Sequence, residues 1–227
     1  MGVGRALIAA AILGLAAPAM ADPLIARKGA VAIDWGRGVI TARGVGPADR
    51  HAPAPAVARD AARLRAEDAA HAALAAAAKA LAPGADAAAI DRAVARARIE
   101  AIDLGTDGSV TLTAALPLEA VRVAQAGPRQ VGHDGEPAAP TIVIDARKQK
   151  LAPHLGATVT AGGGPWAGAV VWATALPKPG DPRLGDGART AVATAATADG
   201  VTIAGPAPAP GALVIVVIAG AARPDAP

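Results

Sequence analysis

The scarcity of large side chains is the feature that most limits what this chain can fold into. The chain has three tryptophans, no phenylalanine and no tyrosine, so its core has to be built mainly from Ala, Val, Leu and Ile. Such a core buries less area per residue than an aromatic core, and each Å² of apolar surface removed from water contributes only about 25 cal/mol. We therefore expect tight packing wherever this chain forms a stable core.

The chain also has no cysteine. This excludes disulfides, a thiol nucleophile, thiolate metal ligands and the acylated cysteine that anchors a lipoprotein. The formal net charge is +3, and the arginines are scattered instead of forming a basic run with interleaved aromatic residues. Nucleic-acid binding is therefore not expected, and no cofactor is predicted.

The first 21 residues have the pattern of a secretory signal peptide. Arg5 supplies a positive charge, residues 6–17 are apolar, and the triplet 19–21 has the A-x-A form of a cleavage site. The apolar run is shorter than the roughly 20 residues needed to span a bilayer. We predict cleavage between Ala21 and Asp22 and a periplasmic or otherwise exported protein, with no later transmembrane segment.

The first half of the mature chain predicts two hairpins separated by helices. Residues 29–46 and 96–116 each contain two β-type runs around a glycine-containing turn. Residues 56–82 form the longest helical pattern, rich in Ala, Leu, Arg and Glu, and a short helix follows at 86–95. At 100° per residue, one face of the long helix is predicted to carry Val57, Ala61, Leu64, Ala75, Ala78 and Ala82.

The second half predicts strands without a helical period. Residues 125–140 are rich in Gly and Pro and are assigned as a linker, 141–220 as a mainly β domain, and 221–227 as a disordered tail. With residues 22–124 as the first domain, the predicted fold class is α+β. It comprises an N-terminal antiparallel sheet with one long helix packed on one face, followed by a mainly β C-terminal half.

Several short motifs resemble the LPP20-like family of exported envelope proteins. They are the run W-G-R-G-V-I-T-A-R-G-V-G at 35–46, the helix with Ala61-Ala62 and Asp68-Ala69, the strand–Asp-Gly–strand segment at 98–118, T-I-V-I-D-A-R at 141–147, and the closing strand from Leu213. The resemblance implies a non-enzymatic envelope protein related to flagellar accessory proteins that assemble in the periplasm. The chain departs from the family in having no cysteine to acylate and in carrying His71 where relatives have Arg or a polar residue.

Two pairs of polar residues are candidate interaction sites. Asp68 and His71 lie one helical turn apart, so they form either a carboxylate-oriented imidazole or an ordinary polar pair beside the helix–sheet seam. Asp145 and Arg147 share one face of a strand, where Arg147 is either a bidentate anchor for a partner's carboxylate or half of a local ion pair. In each case the ordinary structural role is favoured.

The remaining candidates lie in loops. Trp166 follows a glycine-rich stretch and is the tryptophan expected to be exposed, whereas Trp35 and Trp172 are expected to anchor the core. The segment His133-Asp134-Gly135-Glu136 contains possible cation ligands, but it lacks the 12-residue spacing of a calcium loop. It is interpreted as a solvated turn, and no metal site is predicted.

The sequence favours an exported structural or assembly protein that acts through protein–protein contacts with itself or with envelope proteins. Exposed sheet edges would supply the mechanism. A module that binds a cell-wall glycan or peptide through Trp166 is the alternative. An exported hydrolase ranks third, because the chain has one serine and four histidines without a recognisable catalytic spacing.

Overall fold

The computed structural model of the protein describes residues 24–49, 51–128, 139–162, 164–166, 168–197 and 200–220. The predicted signal peptide with its cleavage site at Ala21 and Asp22, the segment 133–136, most of the predicted linker and the predicted tail lie outside these residues. The observed fold is α+β, as the sequence predicts.

The N-terminal half is an antiparallel sheet with the strand order β1-β2-β3-β5-β4, covered on one face by helices. Its elements are β1 Ile25–Lys28, β2 Val31–Asp34, β3 Val39–Gly46, α1 Pro55–Leu81, α2 Ala87–Val94, β4 Arg98–Leu104, β5 Val110–Pro117 and α3 Leu118–Ala126. Both predicted hairpins, the long helix and the short helix are confirmed. Strand β1 and helix α3 were not predicted, and α3 ends inside the segment assigned as a linker.

The long helix packs directly on the backbone of β3. A Cβ atom added to Gly44 would lie 1.9 Å from the carbonyl oxygen of Ala66, and one added to Gly46 would lie 1.8 Å from that of Ala62. These two positions therefore accept no side chain, because the helix backbone occupies the space a Cβ would need. The tight packing expected of a core poor in aromatic residues is found at this contact.

The predicted buried face of α1 is wrong at its two largest residues. Val57 is 49% exposed and Leu64 is 63% exposed. The residues of α1 that are buried are spaced four apart, and they are Ala62, Ala66, Ala70, Leu74 and Ala78. At Ala62, Ala66 and Ala70 of this row, only methyl groups allow α1 to approach the glycines of β3 so closely. The face predicted from the sequence was also made mostly of methyl groups, but the helix alone does not distinguish one alanine-rich row from another.

The C-terminal half is a mixed sheet with the strand order β8-β7-β11-β10-β6-β12-β9. Its strands are β6 Ile142–Asp145, β7 Thr158–Ala161, β8 Gly164–Trp166, β9 Ala169–Ala173, β10 Arg189–Thr197, β11 Gly200–Ile203 and β12 Leu213–Val217. The central strands β6 and β12 run parallel and are almost entirely buried. Strand β10 is shared, since residues 189–192 pair with β6 and residues from Ala193 onward pair with β11.

Buried side chains of the two halves form one continuous cluster. Trp35, Ile40 and Leu74 of the first half belong to it together with Trp172 and Val216 of the second. The contact region between the halves is therefore part of the core.

The contact between α1 and β3 leads to a first prediction. Replacing Gly46 with Ala should lower the free energy of unfolding by about 1–3 kcal/mol, because the new methyl group has to displace the backbone of α1. The Gly220→Ala variant is the matched control, since a Cβ there has no atom within 4 Å. Urea unfolding followed by circular dichroism measures both, and equal midpoints for the two variants would contradict the packing described.

Candidate functional site

The structure does not join Asp68 and His71. Asp68 is exposed, His71 is half-buried, and no hydrogen bond between the two is found among the described residues. The Nε2 atom of His71 is buried without a hydrogen-bond partner. The geometry of a carboxylate-oriented imidazole is therefore not present at this position of α1.

Asp145 and Arg147 form a closed local ion pair. Nε of Arg147 donates to Oδ1 of Asp145 over 2.9 Å, and Nη2 donates to Oδ2 over 2.6 Å. These hydrogen bonds lower the pKa of the Asp145 carboxyl from 3.8 to about 2. Any carboxylate on a partner would have to compete with Asp145 for the same edge of the guanidinium group.

A second pair of the same kind was missed by the sequence analysis. Arg183 donates through Nε and Nη2 to Asp181 over 2.9 and 2.6 Å, and these hydrogen bonds lower the pKa of the Asp181 carboxyl to about 2. The shared spacing, Asp-Ala-Arg in one case and Asp-Pro-Arg in the other, is the signal that could have found it. The repeated geometry supports a structural role for Asp145 and Arg147, because it holds the ends of local turns.

Trp35 and Trp172 lie in the core, as expected, and Trp166 is less buried than either. Trp35 and Trp172 are 8% and 4% exposed, whereas Trp166 is half-buried in β8. The indole of Trp166 lies against the backbone of Gly168, where an added Cβ would be 1.9 Å from the ring. Trp166 is therefore packed on one side against its own loop.

A cavity of about 390 Å³ lies where the two halves meet. The first half contributes Trp35, Gly38 and Leu118 to its lining, and the second contributes His154 and Trp172. At its rim, Arg122 donates to both carboxylate oxygens of Glu119 over 2.8–2.9 Å. This cavity could not be predicted from the sequence, because its walls come from residues that are far apart in the chain.

His154 lines the cavity and, within the described ranges, has a ring nitrogen without a hydrogen-bond partner. Its Nδ1 lies 3.1 Å from the carbonyl oxygen of Ala152, and its ring is 5.5 Å from that of Trp172. Since a carbonyl oxygen only accepts, we assign the proton to Nδ1, which leaves Nε2 as an acceptor in the neutral ring. Nε2 is buried and has no hydrogen-bond partner among the described residues, so it can accept from a bound hydroxyl or amide group only after the ring turns toward the cavity.

The β4 edge of the N-terminal sheet, whose other edge strand is β1, is the second surface with functional potential. Among the described residues, β4 pairs with β5 on one side only, and all of its residues except Ile99 are exposed. Ile102 is 43% exposed and Leu104 is 65% exposed. A groove of about 320 Å³ separates these two side chains from Arg59 and Arg63 of α1.

Neither surface resembles a metal centre. No group of three or more His, Asp or Glu side chains that could hold a metal ion occurs in the part of the chain that the structure describes. Within the same residues, no helix is both long enough and apolar enough to cross a membrane.

The two Asp-x-Arg pairs predict how stability depends on pH. Because the pKa of each Asp is lowered from 3.8 to about 2 in the folded protein, their stabilisation is complete above about pH 4 and is lost as the pH falls to 2. We expect the double variant Asp145→Asn, Asp181→Asn to unfold at lower urea than the wild type at neutral pH. At pH 2, where about half of each carboxyl is protonated in the folded protein, most of this difference in midpoint should be lost.

Asp68→Asn is the matched control for this measurement, because Asp68 makes no ion pair among the described residues. Its difference from the wild type should stay small across the same pH range. If the urea midpoints of the double variant and the wild type differ as much at pH 2 as at neutral pH, the two aspartates stabilise the fold by means other than their ion pairs.

No protein-family model matches this chain, and no curated protein matches it. The open edge at β4 and the cavity between the halves are the candidate functional surfaces in the part of the chain that the structure describes.

Proposed function

We propose that the protein is a non-enzymatic structural or assembly factor of the cell envelope that acts through protein–protein contacts. The observation that carries the proposal is the open edge of β4, which presents Ile102 and Leu104 beside unpaired backbone groups. An edge strand is a template for a further strand, and soluble proteins commonly shield such edges. An edge that exposes two large aliphatic side chains is suited to binding a partner.

The groove beside β4 supports strand addition in particular. Helix α1 packs mainly on β3 and β5, so the helix-facing side of β4 is left open between Leu104 and the first turns of α1. A strand added to β4 would direct every second side chain into this groove. Backbone hydrogen bonds would then supply affinity, and the groove would select the side chains.

The polar side chains support a contact role over catalysis. A hydrolase needs a nucleophile or an activated water positioned by a base. Asp68 and His71 are not hydrogen-bonded to each other, and Arg147 is held by its own neighbour Asp145. The exported hydrolase is therefore the weakest of the three hypotheses.

Location in the envelope is part of the same proposal. It is supported by the charged, apolar and A-x-A segments of residues 1–21 and by the resemblance to LPP20-like proteins. Association with flagella belongs to that resemblance alone. The contacts made by β4 are proposed independently of it, from the geometry of the sheet.

Site-specific photocrosslinking in the cells that naturally produce the protein tests the proposed function. A benzophenone side chain at position 104 should give a discrete protein adduct in the envelope fraction, because Leu104 lies at the contact surface. The same probe at position 192 is the matched control, since Val192 is 63% exposed and lies in β10 of the other sheet. The absence of any adduct at position 104, or equal adducts at both positions, would contradict the proposal.

The cavity between the halves favours a second candidate function, the binding of a cell-wall glycan or peptide fragment. Such ligands carry hydroxyl and amide donors. Nε2 of His154, which has no hydrogen-bond partner in the described part of the chain, can accept one of them once the ring turns toward the cavity that this residue lines. The site differs from the one predicted around Trp166, whose ring packs against Gly168. Trp35 and Trp172 line the cavity and would report a bound ligand by their fluorescence.

Titration of the purified protein with soluble muropeptides tests this candidate. Binding should shift the tryptophan emission in a saturable way, and His154→Phe should weaken binding by up to about tenfold through loss of one hydrogen bond. His71→Phe is the matched control, because its Nε2 is equally buried and unpartnered but lies outside the cavity. An unchanged emission at millimolar ligand would remove this candidate.

A further inference from the structure

We propose that the partner of β4 is a second copy of this chain, paired antiparallel through β4 about a two-fold axis between Glu100 and Ala101. The inference rests on the proposed function, which makes the β4 edge a contact surface. It adds the identity of the partner and the pairing of residues between the two strands. It would join the two N-terminal sheets into one continuous sheet of ten strands, since each copy contributes five.

The first step is to assign the faces of β4 from its pairing with β5. Ile99, Ile102 and Leu104 lie opposite Ala114, Leu112 and Val110 respectively. Leu112 and Val110 lie in turn opposite Gly44 and Gly46, the glycines that contact α1. Ile99, Ile102 and Leu104 therefore point to the helix-facing side of the sheet.

The other face of β4 carries the charged residues. Arg98, Ala101 and Asp103 lie opposite the alternate residues of β5, which are Ala115, Thr113 and Thr111. The register shifts between Ile99 and Ala101, so Glu100 has no partner on β5. This bulge places the two isoleucines three positions apart on the same face, instead of the usual two or four.

Because of the bulge, side chains alternate between the two faces of the sheet in the same way on both sides of the 100/101 bond. Reading outward from this point in either direction, Ile99 and Ile102 are helix-facing, and Arg98 and Asp103 lie on the opposite face. Residues that are opposite each other in an antiparallel pair must share a face. A two-fold axis at this point satisfies the rule, whereas a slip of one residue would oppose side chains from different faces.

The side chains brought together by this register are complementary. Arg98 of each copy lies opposite Asp103 of the other, which forms two charge pairs, and Ile99 lies opposite Ile102, which forms two apolar pairs. Ile102, 43% exposed in the single chain, would be covered by Ile99 of the second copy. The pairing is self-complementary, as a two-fold axis requires, because the same strand forms both sides of the contact.

Glu100 is the one acidic group close to the proposed axis. In each copy Arg37 and Arg98 lie 3.8 Å from its carboxylate, and these cations offset the repulsion between the two copies of Glu100. The bulge and its charge also disfavour pairing in other registers. The edge is therefore selective for one arrangement.

Single cysteines test the register directly, because the natural chain has none and any disulfide must join two copies. In the proposed pair, the Cα atoms of two residues at position 101 would be about 6 Å apart, whereas those at position 103 would be about 17 Å apart. Under mild oxidation, Ala101→Cys should therefore give a disulfide-linked dimer. Asp103→Cys should stay monomeric on a non-reducing gel, but the double variant Arg98→Cys, Asp103→Cys should be linked.

Charge exchange tests the same register without cross-linking. Arg98→Asp should lower the dimer fraction measured by light scattering, because it places two aspartates opposite each other. Adding Asp103→Arg to that variant should restore the dimer. Loss of the dimer in both variants would overturn the proposed pairing, and near-identical circular dichroism spectra would show that the variants are folded.

The outcomes separate this inference from the proposed function. A discrete photocrosslinked adduct at position 104 whose mass is not that of two chains, with no disulfide at position 101, would overturn the self-pairing and leave the contact surface in place. An adduct of two chains with linkage through position 103 alone would overturn the register. The absence of both adduct and disulfide would overturn the proposed function as well.

Discussion

The direct contact between the backbone of α1 and the backbone of β3 is the constraint on which the rest of the structure depends. Gly44 and Gly46 leave no room for a side chain, so the helix lies as close to the sheet as a helix can. This compensates for a core with few large residues. It also centres α1 on β3 and β5, and as a consequence the neighbouring strand β4 is left uncovered at the sheet edge.

Composition, turn residues and apolar runs within single segments were sufficient to predict most of the helices and strands. The composition of residues 56–82 and the Asp107-Gly108 turn were enough to place α1 and the second hairpin, and the strands around β6 and β12 followed from their apolar runs. Helix α3 was missed because it begins directly after Pro117 without a side-chain cap. The buried row of α1 could not be found from the helix alone, because glycines on another element select it.

The two candidate functional surfaces could not be predicted from local patterns, because they depend on which elements lie side by side in the fold. The sequence does not show that β5 lies between β3 and β4, and only this order makes β4 an edge. The cavity at His154 likewise needs both halves to be packed together. By contrast, the ion pair of Asp145 and Arg147 was among the interpretations available from their spacing, and the same spacing at Asp181 and Arg183 would have identified the second pair.

The central claim is that the open edge of β4 is the surface through which two copies of this protein pair. Residue-resolved amide hydrogen exchange at low and high protein concentration tests it most directly. We expect the β4 amides that are not bonded to β5 to exchange rapidly in dilute protein and to become protected as the concentration rises, while the amides of β3 stay protected throughout. Exchange of the β4 amides that does not change with concentration would contradict the claim.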